Sequence, residues 1–227
     1  MLGTDWTPPK PVAGQTVETA RIAKSEAAAR MWDGSIPSSG TPTALYLEWR
    51  SLRLLAGCEN LRHRGDCRHP EGGRHAAMVA RVQAADGAML AVHRTYVRHD
   101  GGKAAVDPPK ASLGPVWSGA VRLSPVADHV VIGEGIESAA SAGILLGMPA
   151  WAAISANNLA AGLVLPDQVR AVTIAADHDL NGVGQRAARD AAARWRATGR
   201  TVRVVVPDVP GQDFNDVLRE RAPCLKA

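Results

Sequence analysis

Short apolar segments alternate with helical segments through the second half of the chain, and this alternation limits the possible fold more than any other feature. Strands are predicted at residues 130–132, 150–154, 169–175 and 201–206, and helices at 137–146, 157–163, 184–198 and 213–221. Strands that are separated by helices need right-handed crossovers and form a parallel sheet. The sequence therefore predicts an α/β domain over residues 126–227, with a parallel sheet flanked by helices.

The first half of the chain predicts a smaller α+β domain at residues 16–125, which follows a flexible lead-in at residues 1–15. Apolar residues alternate on both sides of Asp86-Gly87, a dipeptide that favours a tight hairpin turn. We therefore expect an antiparallel hairpin in this domain. The predicted elements are helices at 17–32 and 42–52, and strands at 78–82, 89–97 and 116–123.

Charge and composition point to a cytoplasmic protein that contacts a polyanion. Residues 1–125 hold 16 Lys and Arg against 11 Asp and Glu, whereas residues 126–227 hold 10 against 11. A basic half suits contact with nucleic acid, although an ordinary solvated surface explains the same excess. No apolar run reaches the roughly 20 residues that cross a membrane, and the N-terminus has no apolar signal core. The odd number of cysteines fits a reducing compartment.

Acidic residues follow three of the predicted strands in the second half. Glu134 lies between two glycines after the first strand, Asp177 and Asp179 follow the third, and Asp213 and Asp216 follow the fourth. The carboxyl ends of parallel strands lie at one edge of a sheet, which is where open α/β sheets bind ligands. Alternate residues of an extended segment point the same way, so Asp177 and Asp179 share a side. We expect these carboxylates to meet.

Converging carboxylates need a cation or a proton. Two carboxylates about 4–5 Å apart repel by roughly 3–4 kcal/mol at an effective dielectric constant of about 20. Oxygen-only donors favour Mg²⁺ or Mn²⁺ over zinc, and such ions stabilise the charge that develops during phosphoryl transfer. Taken singly, each acid has an ordinary alternative role, for example Asp213 as a helix N-cap with Asp216 at the third helical position.

A second candidate metal site is the sequence Cys58-x4-His63-x3-Cys67-x-His69. These residue types bind zinc, but their spacing lacks the close cysteine pair of a zinc finger. The segment 57–73 is dense in Arg, His and Gly. Both a structural zinc site and a basic surface loop with one or two buried thiols remain open.

The chain resembles Toprim proteins, whose catalytic domain is shared by bacterial-type primases, type IA and type II topoisomerases and some nucleases. The resemblance rests on Gly133-Glu134-Gly135, Asp177-His178-Asp179 and the segment 211–216, and it covers about residues 126–222. The first half resembles the domain that precedes Toprim in phage- and plasmid-encoded primase-like proteins. The motifs that carry this second likeness lie at residues 32–37, 46–50, 77–80, 93–96, 113–114 and 120–123.

The resemblance also implies roles for individual residues. Glu134 would be the general acid/base or the first metal ligand, Asp177 and Asp179 would bind Mg²⁺, and Asp213 would take the third acidic position. Four residues of the first half would contact phosphates or template, unless they are ordinary surface charges of a hairpin. These four residues are His93, Arg94, Lys103 and Lys110.

The function implied by the resemblance is primer synthesis. The protein would join nucleoside triphosphates into short RNA primers on single-stranded DNA, with a separate helicase or replication protein as a possible partner. The resemblance includes neither the upstream zinc ribbon nor the downstream helicase domain that many such proteins carry. Two alternatives therefore stay open: a metal-dependent nuclease on the same fold, and a non-catalytic module of a mobile element that binds nucleic acid or a partner.

Overall fold

A computed structural model of the chain describes residues 13–221 and places ten strands in one sheet. Residues 1–12 of the lead-in predicted at residues 1–15 lie outside the described residues, and so does Cys224. The elements are α1 (Ala13–Asp33), β1 (Ile36–Pro37), α2 (Pro42–Trp49), a 3₁₀ helix (Arg53–Gly57), β2 (Leu61–Arg68), β3 (Arg74–Gln83), β4 (Met89–Tyr96), β5 (Lys110–Leu113), β6 (Ala120–Arg122), β7 (His129–Gly133), α3 (Ile136–Leu146), β8 (Ala150–Ala152), a π-helical turn (Asn158–Gly162), β9 (Ala171–Ala175), α4 (Val183–Ala197), β10 (Thr201–Val205) and α5 (Phe214–Arg221).

The first half is an antiparallel sheet centred on β3. Strands β3 and β4 form the expected hairpin, and Gly87 supplies the positive φ of +90° that its turn requires. Strand β2 pairs with β3 along the edge opposite β4. Of the two alternatives for residues 57–73, the surface loop is therefore wrong over β2. Leu61, His63 and Cys67 are buried at alternating positions in β2, and this strand period is hidden in the sequence because the buried histidine counts as polar.

Two short strands of the first half were not predicted. Strand β1 lies between the helices predicted at residues 17–32 and 42–52 and pairs with β2. Strand β5 follows a proline-rich loop and pairs with β4, which places Lys110 at the start of an ordered element. The strand expected at residues 116–123 is shorter than predicted, because only Ala120–Arg122 pairs with neighbouring strands.

The second half is the predicted α/β unit. Strands β8, β7, β9 and β10 are adjacent in that order and parallel, so the expected parallel sheet is confirmed. Val130 and Ile132 belong to a core cluster with Trp195 of α4, while Val131 packs with Phe214 of α5. Alternate residues of a strand face opposite sides of the sheet, so α4 covers one face and α3 and α5 cover the other. The helix predicted at 157–163 is a single π-helical turn.

A narrow antiparallel ladder joins the two halves into one sheet. Val121 of β6 pairs with Val82 of β3 on one side and with Ala152 of β8 on the other. Both halves therefore share backbone hydrogen bonds. Within residues 13–221, no helix combines the length and the apolar character that crossing a membrane would need.

Candidate functional site

Glu134 stands where β7 turns into α3. A Cβ atom on Gly133 would lie 2.9 Å from the backbone N and Cα of Ala139, so only glycine lets α3 approach the strand this closely. The Ile154 N–H donates to the Glu134 carbonyl oxygen over 2.7 Å, and the backbone of Ala156 lies close enough to the Glu134 carboxylate to oppose the rise in its pKa. These contacts hold a half-buried carboxylate at the edge of the sheet.

Asp177 and Asp179 follow β9 at the same edge. The Ser138 hydroxyl of α3 donates to Asp177, and the Gly184 N–H at the start of α4 donates to an Asp179 carboxylate oxygen over 3.1 Å. Asp179 therefore helps to cap α4, one of the ordinary roles open to these acids. Each residue still carries a second carboxylate oxygen outside these bonds.

Asp213 begins α5 and caps it. Its carboxylate accepts the Asp216 N–H over 2.8 Å, and the Asp216 carboxylate accepts the Asp213 N–H over 3.2 Å, which is a reciprocal capping box. The backbone of His178 bonds to Gly211 and Gln212, so the segment after β10 runs beside the segment after β9. This pairing places Asp213 close to Asp177.

The four acids influence one another electrostatically. Burial raises the pKa of Asp177 to about 6; the Ser138 hydrogen bond opposes the shift, and the negative charges of Asp213, Asp179 and Glu134 add to it. Burial and the charge of Asp179 also raise the pKa of Glu134. The structure thus brings all four predicted acids into one electronegative edge.

The carboxylate oxygens suit a hard divalent cation, although the side chains do not converge on a single point where one would be held. Within residues 18–221, whose side chains are described, no group of three or more His, Cys, Asp or Glu residues is arranged to hold a metal ion. Mg²⁺ commonly takes only one or two protein carboxylates and fills its octahedron with water and substrate phosphates. Asp177 and Glu134, whose pKa values are raised by burial and by neighbouring negative charge, are donors of this kind.

Glu137 is a site residue that the sequence reasoning missed. The residue is only 7% exposed, and its carboxylate accepts hydrogen bonds from the Tyr46 hydroxyl and, over 2.7 Å, from Lys110 Nζ. Burial would raise the pKa of Glu137, but the Lys110 ammonium and the Tyr46 hydroxyl lower it to about 2. A signal was present in the sequence, because Glu137 lies one helical turn after Glu134 in a helix otherwise made of small and apolar residues.

Lys110 joins the acidic edge to the basic half of the chain. Its charge opposes the rise in the pKa of Glu134, and burial together with this charge lowers the pKa of His93 to about 4. His93 shares a hydrogen bond of 2.9 Å with Ser112. Burial and the charge of Lys110 also lower the pKa of Lys103, and the charge of Asp213 opposes this shift. His93, Lys103 and Lys110 therefore lie together opposite the acids.

Arg94 lies elsewhere and has other partners. It is buried, and its guanidinium donates to the backbone carbonyl oxygens of Arg68, Ala111 and Ser112 over 3.0–3.2 Å. These bonds connect β4 to β2 and β5. Phosphate contact by Arg94 stays a prediction that the geometry does not favour, because its donors are already used within the protein.

The candidate zinc residues do not converge. Cys58, His63, Cys67 and His69 have separate partners, for example the Thr43 hydroxyl, which shares a 2.9 Å hydrogen bond with His63. Burial raises the pKa of both thiols, which favours the protonated form that does not bind zinc. In the part of the chain with described side chains, these residues form no metal-holding group.

Solved primase structures share this fold. The catalytic core of DnaG primase aligns with 87% of this chain and 76% of its own, at a TM-score of 0.61 and 13% identity. A DnaG catalytic domain bound to single-stranded DNA aligns with 89% of this chain and 78% of its own, at 0.59 and 12%. The primase fragment of the bacteriophage T7 primase-helicase aligns with 77% and 69%, at 0.51 and 16%.

Family models divide the chain close to the narrow ladder between its halves. No curated protein matches the sequence. Residues 129–223 match the model described as Toprim domain, and residues 23–123 match the model described as domain of unknown function DUF7146. The primase alignments cover most of the chain and agree with this match in fold. The C-terminal part of this chain is therefore a Toprim domain, and a DUF7146 domain precedes it.

Proposed function

We propose that this protein is a Mg²⁺-dependent nucleotidyl-transfer enzyme of the primase type, which makes or extends RNA primers on single-stranded DNA. One observation carries the proposal: Glu134, Asp177, Asp179 and Asp213 form a single electronegative edge, and Lys110 faces it. Opposite charges arranged in this way suit a nucleoside triphosphate whose phosphates lie between divalent cations and lysines.

Each group has a part in the proposed reaction. Bound Mg²⁺ would supply charge stabilisation at the transferring phosphate. Asp177 and Asp179 would hold it, with Asp213 beside them. Glu134 would contribute a further oxygen or move a proton, since a carboxyl with a raised pKa is better suited to proton transfer near neutral pH than an ordinary one. Lys110 would bind phosphate oxygens from the opposite side.

The solved relatives support a role with nucleic acid, since one of these structures is a DnaG primase catalytic domain bound to single-stranded DNA. Identities of 12–16% among the three aligned structures support the fold rather than the reaction. Synthesis of primers from nucleoside triphosphates is therefore our inference from the site. A helicase or replication partner stays a prediction.

The length of the reaction products tests the proposed function. We expect purified protein with Mg²⁺, labelled nucleoside triphosphates and end-labelled single-stranded DNA to produce labelled ribonucleotide-containing products that do not form in the presence of EDTA. Shortened DNA would instead favour the nuclease alternative on the same acids. Stable DNA binding with no turnover under Mg²⁺ or Mn²⁺ would contradict both enzymatic proposals and favour the non-catalytic module.

The raised pKa of Asp177 predicts how stability depends on pH without metal. The native state holds this proton up to pH about 6, whereas the ordinary carboxyl releases it near 3.8. The unfolded state therefore binds fewer protons between these values, and this group makes stability fall as pH rises from about 4 to 6. Relative to Asp177→Asn, wild type should lose about 1–3 kcal/mol across this window in urea unfolding.

Mg²⁺ should reverse this loss. Cations bind the deprotonated carboxylates, so the stabilisation by Mg²⁺ should be greater at pH 7 than at pH 5. A concentration about 100-fold above the dissociation constant should contribute roughly 2–3 kcal/mol. The thermal midpoint of Asp177→Asn should respond much less than that of wild type. Equal shifts in both proteins would show that Mg²⁺ binds elsewhere.

A further inference from the structure

A shallow pocket of about 190 Å³ opens beside the acidic edge, between the end of α2, the loop at residues 98–103 and α5. Trp49 is 68% exposed, a large fraction for an indole side chain in a folded protein. The pocket is lined by Tyr46, Trp49, Arg50, Gly101, Lys103 and Arg219.

Close packing fixes the walls of this pocket. A Cβ atom on Gly101 would lie 2.6 Å from Leu45 Cβ, and the residue has a φ of +84°, so only glycine lets the loop lie directly on α2. A backbone bridge between Val97 and Lys103 closes the same loop. The Arg50 guanidinium lies 5.6 Å from the centre of the Tyr46 ring. The exposed indole is therefore held on an ordered support.

The pocket has an excess of positive charge. Arg50, Lys103 and Arg219 line it, and within the described side chains none of them takes part in a salt bridge. The charge of Asp213 acts on Lys103, so the pocket adjoins the acidic edge. An exposed aromatic ring surrounded by unpaired cations is a combination that binds single-stranded nucleic acid, because the ring stacks a base and the cations bind phosphates.

We propose that Trp49 stacks one unpaired base of a single strand, and that Arg50, Lys103 and Arg219 bind the adjoining phosphates. The pocket is smaller than the roughly 300–1,000 Å³ of typical small-molecule sites, which suits one base of a strand rather than an enclosed free ligand. Bases in a duplex are already stacked on their neighbours, so they are not available to stack on the indole ring. This proposal adds a strand-binding site to the proposed function. It rests on that function for the direction in which the strand runs toward the acids.

Fluorescence anisotropy with labelled oligothymidylate of about 16 nucleotides tests the proposal. Binding is measured without nucleoside triphosphates and with EDTA, so the result is independent of turnover. Trp49→Ala should weaken binding about 5- to 100-fold, and Trp49→Phe should restore most of the affinity because phenylalanine still stacks. Trp117→Ala is the matched control, since Trp117 is also exposed (54%) but lies at the π-helical turn, outside the pocket. It should bind like wild type.

An oligomer of abasic sites separates stacking from phosphate binding. Wild type and Trp49→Ala should bind it equally, whereas Arg219→Gln should weaken binding of both oligomers and reduce the salt slope by about 0.7 for each phosphate that the variant no longer neutralises. Arg189→Gln, on α4 at the opposite face of the sheet, is its control. Unchanged oligothymidylate binding by Trp49→Ala, or an equal loss of affinity for the abasic oligomer, would overturn the proposal. Primer synthesis that persists in that case would leave the proposed function intact.

Discussion

Replacing Lys110 with methionine should lower the free energy of unfolding by about 3–5 kcal/mol at pH 7. Glu137 is almost fully buried, and Lys110 is the cation that bonds to it over 2.7 Å. Methionine keeps the length of the side chain and removes the charge. Among the described side chains, the buried Glu137 carboxylate is then left with the Tyr46 hydroxyl as its one donor. Urea unfolding at constant ionic strength measures the loss.

The pH dependence identifies the cause of that loss. In wild type the pKa of Glu137 is about 2, below the ordinary value of 4.5, so its contribution is present above pH 4.5 and disappears as pH falls toward 2. Without Lys110, burial raises this pKa, and protonation then relieves the penalty at acid pH. The difference between the two proteins should therefore shrink as pH falls from 7 to about 3. Lys103→Met, at an exposed lysine nearby, should have a small effect. A loss independent of pH would contradict this account.

Replacing Glu134 with glutamine, or Asp177 with asparagine, should lower the rate of primer extension by about 100- to 1,000-fold. Both amides keep the size of the side chain but provide no negative charge for a divalent cation and no site for proton transfer. Glu134→Gln should leave stability nearly unchanged, because the Glu134 side chain is only half-buried and takes part in none of the salt bridges among the described side chains. Asp177→Asn should fold at least as stably as wild type without metal. Single-turnover extension with Mg²⁺ in excess measures the rate.

Asp190→Asn is the matched control for the loss of a carboxylate. Asp190 is exposed on α4, which lies on the face of the sheet opposite α3 and α5. It should extend primers like wild type. If the Glu134 and Asp177 variants retain full activity while Asp190→Asn also does, the acidic edge is not the reaction centre, and the roles proposed for it fail.

The α/β half was predictable because its residues follow simple rules. Val130, Val131 and Ile132 are apolar on both faces, as a buried parallel strand requires, and Gly147 ends α3 in the left-handed conformation that favours glycine. The acids after β7, β9 and β10 then follow from topology, since parallel strands direct their carboxyl ends to one edge. The electrostatic proximity of Glu134 to Asp179 agrees with that reasoning.

The remaining features depend on partners distant in sequence. Strand β5 has four residues and pairs with β4 across a proline-rich loop. It is too short for an alternation of apolar and polar residues to predict it from the sequence. Glu137 was missed because its partners, Tyr46 and Lys110, lie 91 and 27 residues away. From the sequence alone, Arg94 cannot be told apart from a phosphate-binding arginine. The fold shows that its guanidinium donates to backbone carbonyl oxygens instead.

The ladder from β3 through β6 to β8 joins the two halves by strand pairing, at a place where many two-domain enzymes have a flexible hinge. Rotation of one half against the other would break the hydrogen bonds that pair Val121 with Ala152 and Val82. The spacing between the lysines and the acids is therefore set by strand register and backbone hydrogen bonds. Any movement that admits a long polymer must then come from side chains and surface segments outside this ladder.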